Sequence, residues 1–213
     1  ARRQRQLCIR DRDKGRGPFA KQGDKGAELA ANVRALYPYN AGGFGLFALE
    51  SANINSWKDI KGKTIFNGPP RGAALVNARQ AIVLASGYKE GDDYKGVQAN
   101  WGQLANILVD GSVDGVVVPL TFPSARVTVM QSAGNVRIIS TPKDIFESEA
   151  YQKVFNAPGN IPLQVKWEDM GYSDGVSMVS EDGVFRGLGT AFVELVHKDM
   201  SFDPVSYTHL RAH

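Results

Sequence analysis

The stretch Asn67–Arg79 reads NGPPRGAALVNAR. Two prolines, an arginine and a glycine lead straight into an apolar helical pattern. Leu75, Ala78, Ile82 and Ala85 recur at steps of three and four, which places them on one helix face. A helix opening at Gly72 presents amides without intrahelical acceptors, together with the positive end of its dipole. An N-cap side chain ordinarily takes one of those amides, worth about 1 kcal/mol. Here Gly72, Ala73 and Ala74 offer none, and their small size permits close approach. Arg71 adds a forked donor matched to a carboxylate. The chemistry on offer is the seating of an anion. The alternative is a rigid Pro69–Pro70 turn with a solvated Arg71 and water on the amides. The spacing is not G-x-x-x-x-G-K-[ST], so a nucleotide phosphate loop is not expected.

Two further junctions carry candidate residues. Pro119–Arg126, PLTFPSAR, contains Thr121, a hydroxyl donor to a ligand or simply a helix cap. Phe122 is either a pocket wall or core. Trp101 stands at a third strand-to-helix junction, where it lines the same crevice or packs ordinarily. In open α/β sheets, ligands bind beyond the carboxyl ends of strands, where all three junctions fall. Catalytic readings are poor. There is no G-x-S-x-G, no H-E-x-x-H and no Cys/His cluster, so neither an enzyme, a metal site nor a cofactor is expected. His197 is read near the end of a surface helix, and Glu181–Asp182 as acids capping that helix's start.

The elements that must position these residues alternate from Lys63 to Lys153. KTIFN, KGVQA, DGVVVPL and NVRIIS read as strands. Helices are expected over Gly72–Ser86, Trp101–Asp110, Phe122–Ser132 and Lys143–Val154, with Asn100 and Gln103 as a capping box and Thr121 with Pro123 as a helix start. Short β-rich runs alternating with such helices indicate βαβ units and a mainly parallel sheet. On the flanks, VRALYPYN and GGFGLFALE read as two short strands around a Gly-rich turn, and SWKDIKGK as one helical turn. An irregular stretch is expected from APGNIP to Tyr172, then a strand at GVSMVS. Gly183–Lys198 reads as an amphipathic helix, with Val184, Leu188, Ala191 and Leu195 aligned.

The chain has 213 residues, 43% apolar, and a formal net charge of +3. The first twelve residues carry five Arg and one Asp, and the last ten carry one Arg, so the body between them has a net charge of −2. Residues 1–12 and 204–213 read as translated adaptor sequence and are set aside with Cys8, His209 and His213. The basic balance therefore does not argue for a nucleic-acid partner, and interleaved aromatic and basic residues are absent. The expected organisation is a second α/β lobe at 60–167, with 13–59 and 168–203 forming a partial first lobe.

Several segments together resemble the TAXI family of TRAP-transporter solute receptors. They are LYPYN, SWKDIKGKTIFNGPPRGAALVNAR, LVDGSVDGVVVPLTFPSARV and APGNIP, in that order. The resemblance runs from about Leu36 to Asp203. It implies a type II periplasmic-binding fold, here one complete doubly wound parallel-sheet lobe plus an incomplete second lobe. It implies a non-catalytic, periplasmic receptor for a small carboxylated solute, such as an amino acid or dicarboxylate, handed to membrane permease subunits for ion-gradient-driven uptake. Matching motifs place ligand contacts at Tyr37, Asn67, Arg71, Gly72, Ala73, Ala74, Thr121 and Phe122. The chain departs from the family in lacking the Gly-rich opening of the first lobe and in carrying Arg71 and two alanines where Ser or Thr is usual. The alternative is the effector-binding domain of a transcription regulator with the same architecture.

Overall fold

The computed structural model describes residues 23–157 and 159–200. The terminal segments set aside above, with Cys8, His209 and His213, lie outside the described residues. The chain forms two compact units, one of residues 40–191 and a smaller one of residues 1–39 and 192–213. Among its described residues, the smaller unit holds α1 (Gly23–Ala31) and the outer ends of β1 (Val33–Leu49) and β8 (Val184–His197).

The larger unit is wider than the 60–167 lobe expected, because β1 and β7 are built into its sheet. Its strands are the inner part of β1, β2 (Thr64–Phe66), β3 (Lys95–Val97), β4 (Gly115–Leu120), β5 (Val136–Ile139), β6 (Asn160–Lys166), β7 (Val176–Val179) and the first part of β8. The order is β3-β2-β4-β1-β5-β7, and β8 pairs with both β6 and β1. Strands β2, β3 and β4 are mutually parallel, as are β5 and β7. Strand β1 runs antiparallel between β4 and β5, pairing Phe47 with Val116 and with Ile138. The expected α/β class holds, with a mixed sheet where a parallel one was expected.

Helices cover both faces. One core joins Phe44, Leu46 and Ala48 of β1 to Ala78, Ala81, Ile82 and Ala85 of α2 (Ala73–Ser86), with Phe146 of α5 (Lys143–Phe146) and Tyr151 of α6 (Glu149–Phe155). The other joins Phe47 to Leu104 and Leu108 of α3 (Leu104–Val109) and to Val127 and Met130 of α4 (Ala125–Gln131). The alternation is visible in β4, where Val117 enters the first core and Val116, Val118 and Leu120 the second.

Several expected elements take another form. The Gly-rich segment is no turn: β1 is one strand of 17 residues. Gly42 has φ +94°, and a methyl group there would lie 2.5 Å from the carbonyl carbon of Leu120. The glycine serves a close approach of backbones. The single helix expected over Lys143–Val154 is two, because Ser148 starts a new one, its Oγ accepting from the Tyr151 amide. Residues Trp101–Gln103 form a 3-10 turn ahead of α3, with the expected capping box at Asn100 and Gln103. Ser124 caps α4, three residues beyond the expected start at Thr121. The irregular stretch contains β6, whose Ile161, Leu163 and Val165 alternate with exposed Pro162, Gln164 and Lys166.

The expected helix over Gly183–Lys198 is strand β8. It pairs antiparallel with β6, from Lys166 opposite Val184 to Asn160 opposite Thr190. Gly187 and Gly189 each cost a helix about 1 kcal/mol. Phe185 enters one core and Leu188 the other, so no polar face marks the strand. Asp182 caps no helix. It holds the buried Arg186 through both carboxylate oxygens, at 3.0 and 2.5 Å. His197 ends a strand and is exposed.

Two predictions test this part of the fold. A methyl group at Gly187 would lie 2.5 Å from the Phe44 carbonyl oxygen, so Gly187→Ala is expected to lower stability by about 1–3 kcal/mol in urea denaturation. Arg186 holds the Asp182 carboxyl at about 2, below its ordinary 3.8. A depressed carboxyl contributes stability above its unfolded value and loses it as pH falls through the folded one. Thermal melts should show the Asp182→Asn protein losing less stability than the parent between about pH 4 and 2.

Candidate functional site

The geometry starts from the opening of α2. Its N-cap is Gly72, at φ 102° and ψ −176°, and no side chain caps it. A methyl group placed at Gly72 would meet nothing within 4 Å, so there is room beside the backbone at that residue. Arg71, Gly72 and Ala73 are exposed and Ala74 is half-buried. Arg71 makes no ion pair among the described residues.

The wall beside this opening is Trp101. Its ring lies 3.4 Å from where a side chain at Gly68 would begin, and the Ala74 methyl is 3.7 Å from the same point. Phe66 meets the indole edge-on, with centroids 6.0 Å apart. On the ring stands the guanidinium of Arg126, 4.3 Å from the centroid. Trp101 thus packs on Phe66 and stands close to Gly68, just ahead of the start of α2.

Arg126 is the residue that sequence reasoning missed. It is half-buried, its Nη1 donates to the Pro119 carbonyl at 2.7 Å, and no carboxylate pairs with it among the described residues. Burial pushes its pKa down. One bond to a carbonyl leaves most of the guanidinium's five N–H donors for other acceptors. A signal was present in the sequence. Arg126 sits in the first turn of α4, where a cation opposes the helix dipole.

Asn67 is wholly buried and both ends of its amide are engaged by the chain itself. Its Nδ2 donates to Glu90 Oε2 at 2.6 Å, and its Oδ1 accepts from Gln98 Nε2 at 2.8 Å. Arg79 donates to both oxygens of Glu90, at 2.7 and 2.8 Å, and holds that carboxyl below its usual range. Asn67 is therefore occupied as an anchor under the loop.

The other candidates are scattered. Thr121 is exposed, and β4 continues to Leu120 although β2 ends at Phe66 opposite Val116, so the two loops leave the sheet at different levels. Phe122 packs edge-on against Phe185 at 5.0 Å and Tyr172 at 6.2 Å. Tyr37 is exposed and belongs to the smaller unit. The contacts thus bring together Gly68, Ala74, Trp101 and Arg126 beside Arg71–Ala73. Among the described residues, no group of three or more His, Cys, Asp or Glu is placed to hold a metal ion, and no helix is long and apolar enough to cross a membrane.

The sequence model of the NMT1-like family matches residues 5–162. The chain belongs to the NMT1-like family. That family is periplasmic-binding-protein-like, a coarser placement than the TAXI resemblance. No curated protein matches this NMT1-like chain. Among solved structures, it is similar to the periplasmic aliphatic sulphonate-binding protein SsuA from Escherichia coli, at 15% identity and a TM-score of 0.40 over 56% of this chain and 35% of that one. It is similar to a TRAP solute-binding protein from Rhodoferax ferrireducens T118 in complex with copurified benzoate, at 12% identity and a TM-score of 0.42 over 88% and 41%. It is also similar to a TRAP periplasmic solute-binding protein from Ralstonia eutropha H16 with bound (S)-2-acetolactate, at 15% identity and a TM-score of 0.40 over 94% and 45%. The chain thus spans less than half the length of each of these three proteins.

If Asn67 is an anchor, its loss should be felt without any solute. Asn67→Ala leaves Glu90 and Gln98 short of a partner, and urea denaturation of the solute-free protein should show a loss of about 1–3 kcal/mol.

Proposed function

We propose that this chain is part of a non-catalytic solute receptor of the TAXI type, capturing a small carboxylate outside the cytoplasmic membrane for a TRAP permease. The observation that carries the reading is the uncapped start of α2, open to space at Gly72 and bordered by the exposed Arg71. Unpaired amides and a dipole end favour an anion there, and a guanidinium suits a carboxylate in particular. Trp101 supplies an apolar wall for the body of the solute, and Arg126 a second, partly desolvated cation. Membership of the NMT1-like family supports a binding role over a catalytic one. The two TRAP proteins named above hold benzoate and (S)-2-acetolactate.

Titration of the 213-residue chain with benzoate, succinate and glutamate, against benzamide as the uncharged counterpart of benzoate, tests the reading. Saturable binding of at least one carboxylate is expected, with shifts in the Trp101 indole signal. Arg71→Ala and Arg126→Ala should each weaken it by ~1.5–3 kcal/mol, the worth of a hydrogen bond to a charged group, and leave benzamide unaffected. Equal affinity for benzoate and benzamide, or no saturable carboxylate, would overturn it.

A further inference from the structure

We propose that Glu90 is a positioning residue for the anion-seating loop, holding Asn67–Gly72 from beneath in its open form. The inference rests on the carboxylate-binding reading above and assigns a role to residues that reading does not use.

The loop has six residues and two fixed ends. At the first end, the Asn67 amide donates to the Val97 carbonyl at 3.1 Å, and the Gly68 carbonyl accepts from the Ala99 amide at 3.2 Å. The Asn67 side chain is buried and bonded to Glu90 and Gln98. At the second end the loop becomes α2, and α2 carries Arg79, whose guanidinium grips both oxygens of Glu90. One carboxylate therefore ties together the end of β2, the residue after β3 and the helix that supplies the amides. Gln98 Nε2 also reaches Glu90 Oε1 at 3.2 Å. Four donor contacts from three side chains converge on this carboxylate, and its own side chain is only 20% exposed.

The packing leaves that carboxylate little room. It lies over the backbone of Gly96, where any side chain would collide with it. Tyr94, 3% exposed, closes the site beside Asn67, and burial pushes its hydroxyl up to about 12. Between the fixed ends, Pro69 and Pro70 have restricted φ, and Gly68 and Gly72 hold φ of +105° and +102°. Clamped ends with a stiff middle lower the ordering cost that a flexible anion loop would bear on binding. Neither Asn67 nor Glu90 need touch the solute for this to matter.

The experiment measures hydrogen exchange in the solute-free 213-residue chain, then benzoate titration, in the parent and in Glu90→Gln. Exchange of the Asn67 and Ala99 amides should quicken by about tenfold or more in the variant, and benzoate should bind about tenfold more weakly. Asp182→Asn opens another bidentate arginine pair and serves as the control: it should cost thermal stability while leaving both readouts as in the parent. Arg79 is exposed enough to vary safely if Glu90→Gln fails to fold. Arg79→Gln should shift both readouts in the same direction, and Arg79→Lys should restore part of each. Unchanged exchange at Asn67 and Ala99 in a folded variant overturns the positioning role. So does quickened exchange with undiminished benzoate affinity. A parent chain that binds no carboxylate overturns the receptor reading instead, and the exchange measurement then still decides whether Glu90 holds the loop.

Discussion

Through Phe44, Leu46 and Ala48 on one face and Phe47 on the other, β1 belongs to both apolar cores, and the sheet is organised around it. It lies between β4 and β5 and runs against both. Because those neighbours are parallel to each other, the carboxyl ends of β2, β3, β4, β5 and β7 point to one edge of the sheet. The candidate loops leave from that edge. Glycine makes the arrangement fit. A side chain at Gly45 would come within 2.7 Å of the Phe185 ring, so that ring of β8 can sit over β1 only where the side chain is missing. The site is thus fixed by burial on both faces of one strand and by the space that its glycines leave.

The start of α2 gains meaning from what surrounds it. An uncapped helix end that faces solvent is commonly satisfied by water. Here the same end is bordered by one exposed guanidinium, and a second stands on the neighbouring tryptophan. Arg126 sits where the dipole of α4 disfavours it and where burial disfavours its charge. Its stacking on Trp101 and its bond to the Pro119 carbonyl offset part of that cost. A cation held against two penalties, with most of its donors left over, suits a site completed by an anion.

The legible parts of the sequence were those with local signals. The α2 face, its missing cap, its Gly87 stop and the capping box at Asn100 and Gln103 are all matters of neighbouring residues, and each stands as read. What was not legible depends on distant partners. The spacing of Val184, Leu188, Ala191 and Leu195 imitates a helix because β8 is covered on both faces and shows no alternation. The alternation in β6, Ile161–Leu163–Val165, was present but hidden beside Pro162, which sits exposed on that strand. Asn67 was expected to be a ligand contact because the TAXI resemblance implies it. Its partners Glu90 and Gln98 lie 23 and 31 residues away, and no local pattern announces them.

That displacement of Asn67 from contact to anchor changes how the site is built. A loop that binds through its backbone needs its amides aimed before the solute arrives, since each side chain or segment ordered on binding subtracts from affinity. The prolines stiffen the loop but do not fix its ends, and its exposed part is Pro70, Arg71 and Gly72. Fixing the ends comes from beneath, where the Asn67 amide is buried and its hydrogen bonds are the stronger for it. The Arg79–Glu90–Asn67–Gln98 cluster meets that need, being buried at Asn67 and reaching from helix to sheet. Polar residues that sequence reading assigns to the ligand can thus belong one layer deeper, where their work is to keep a backbone opening in place.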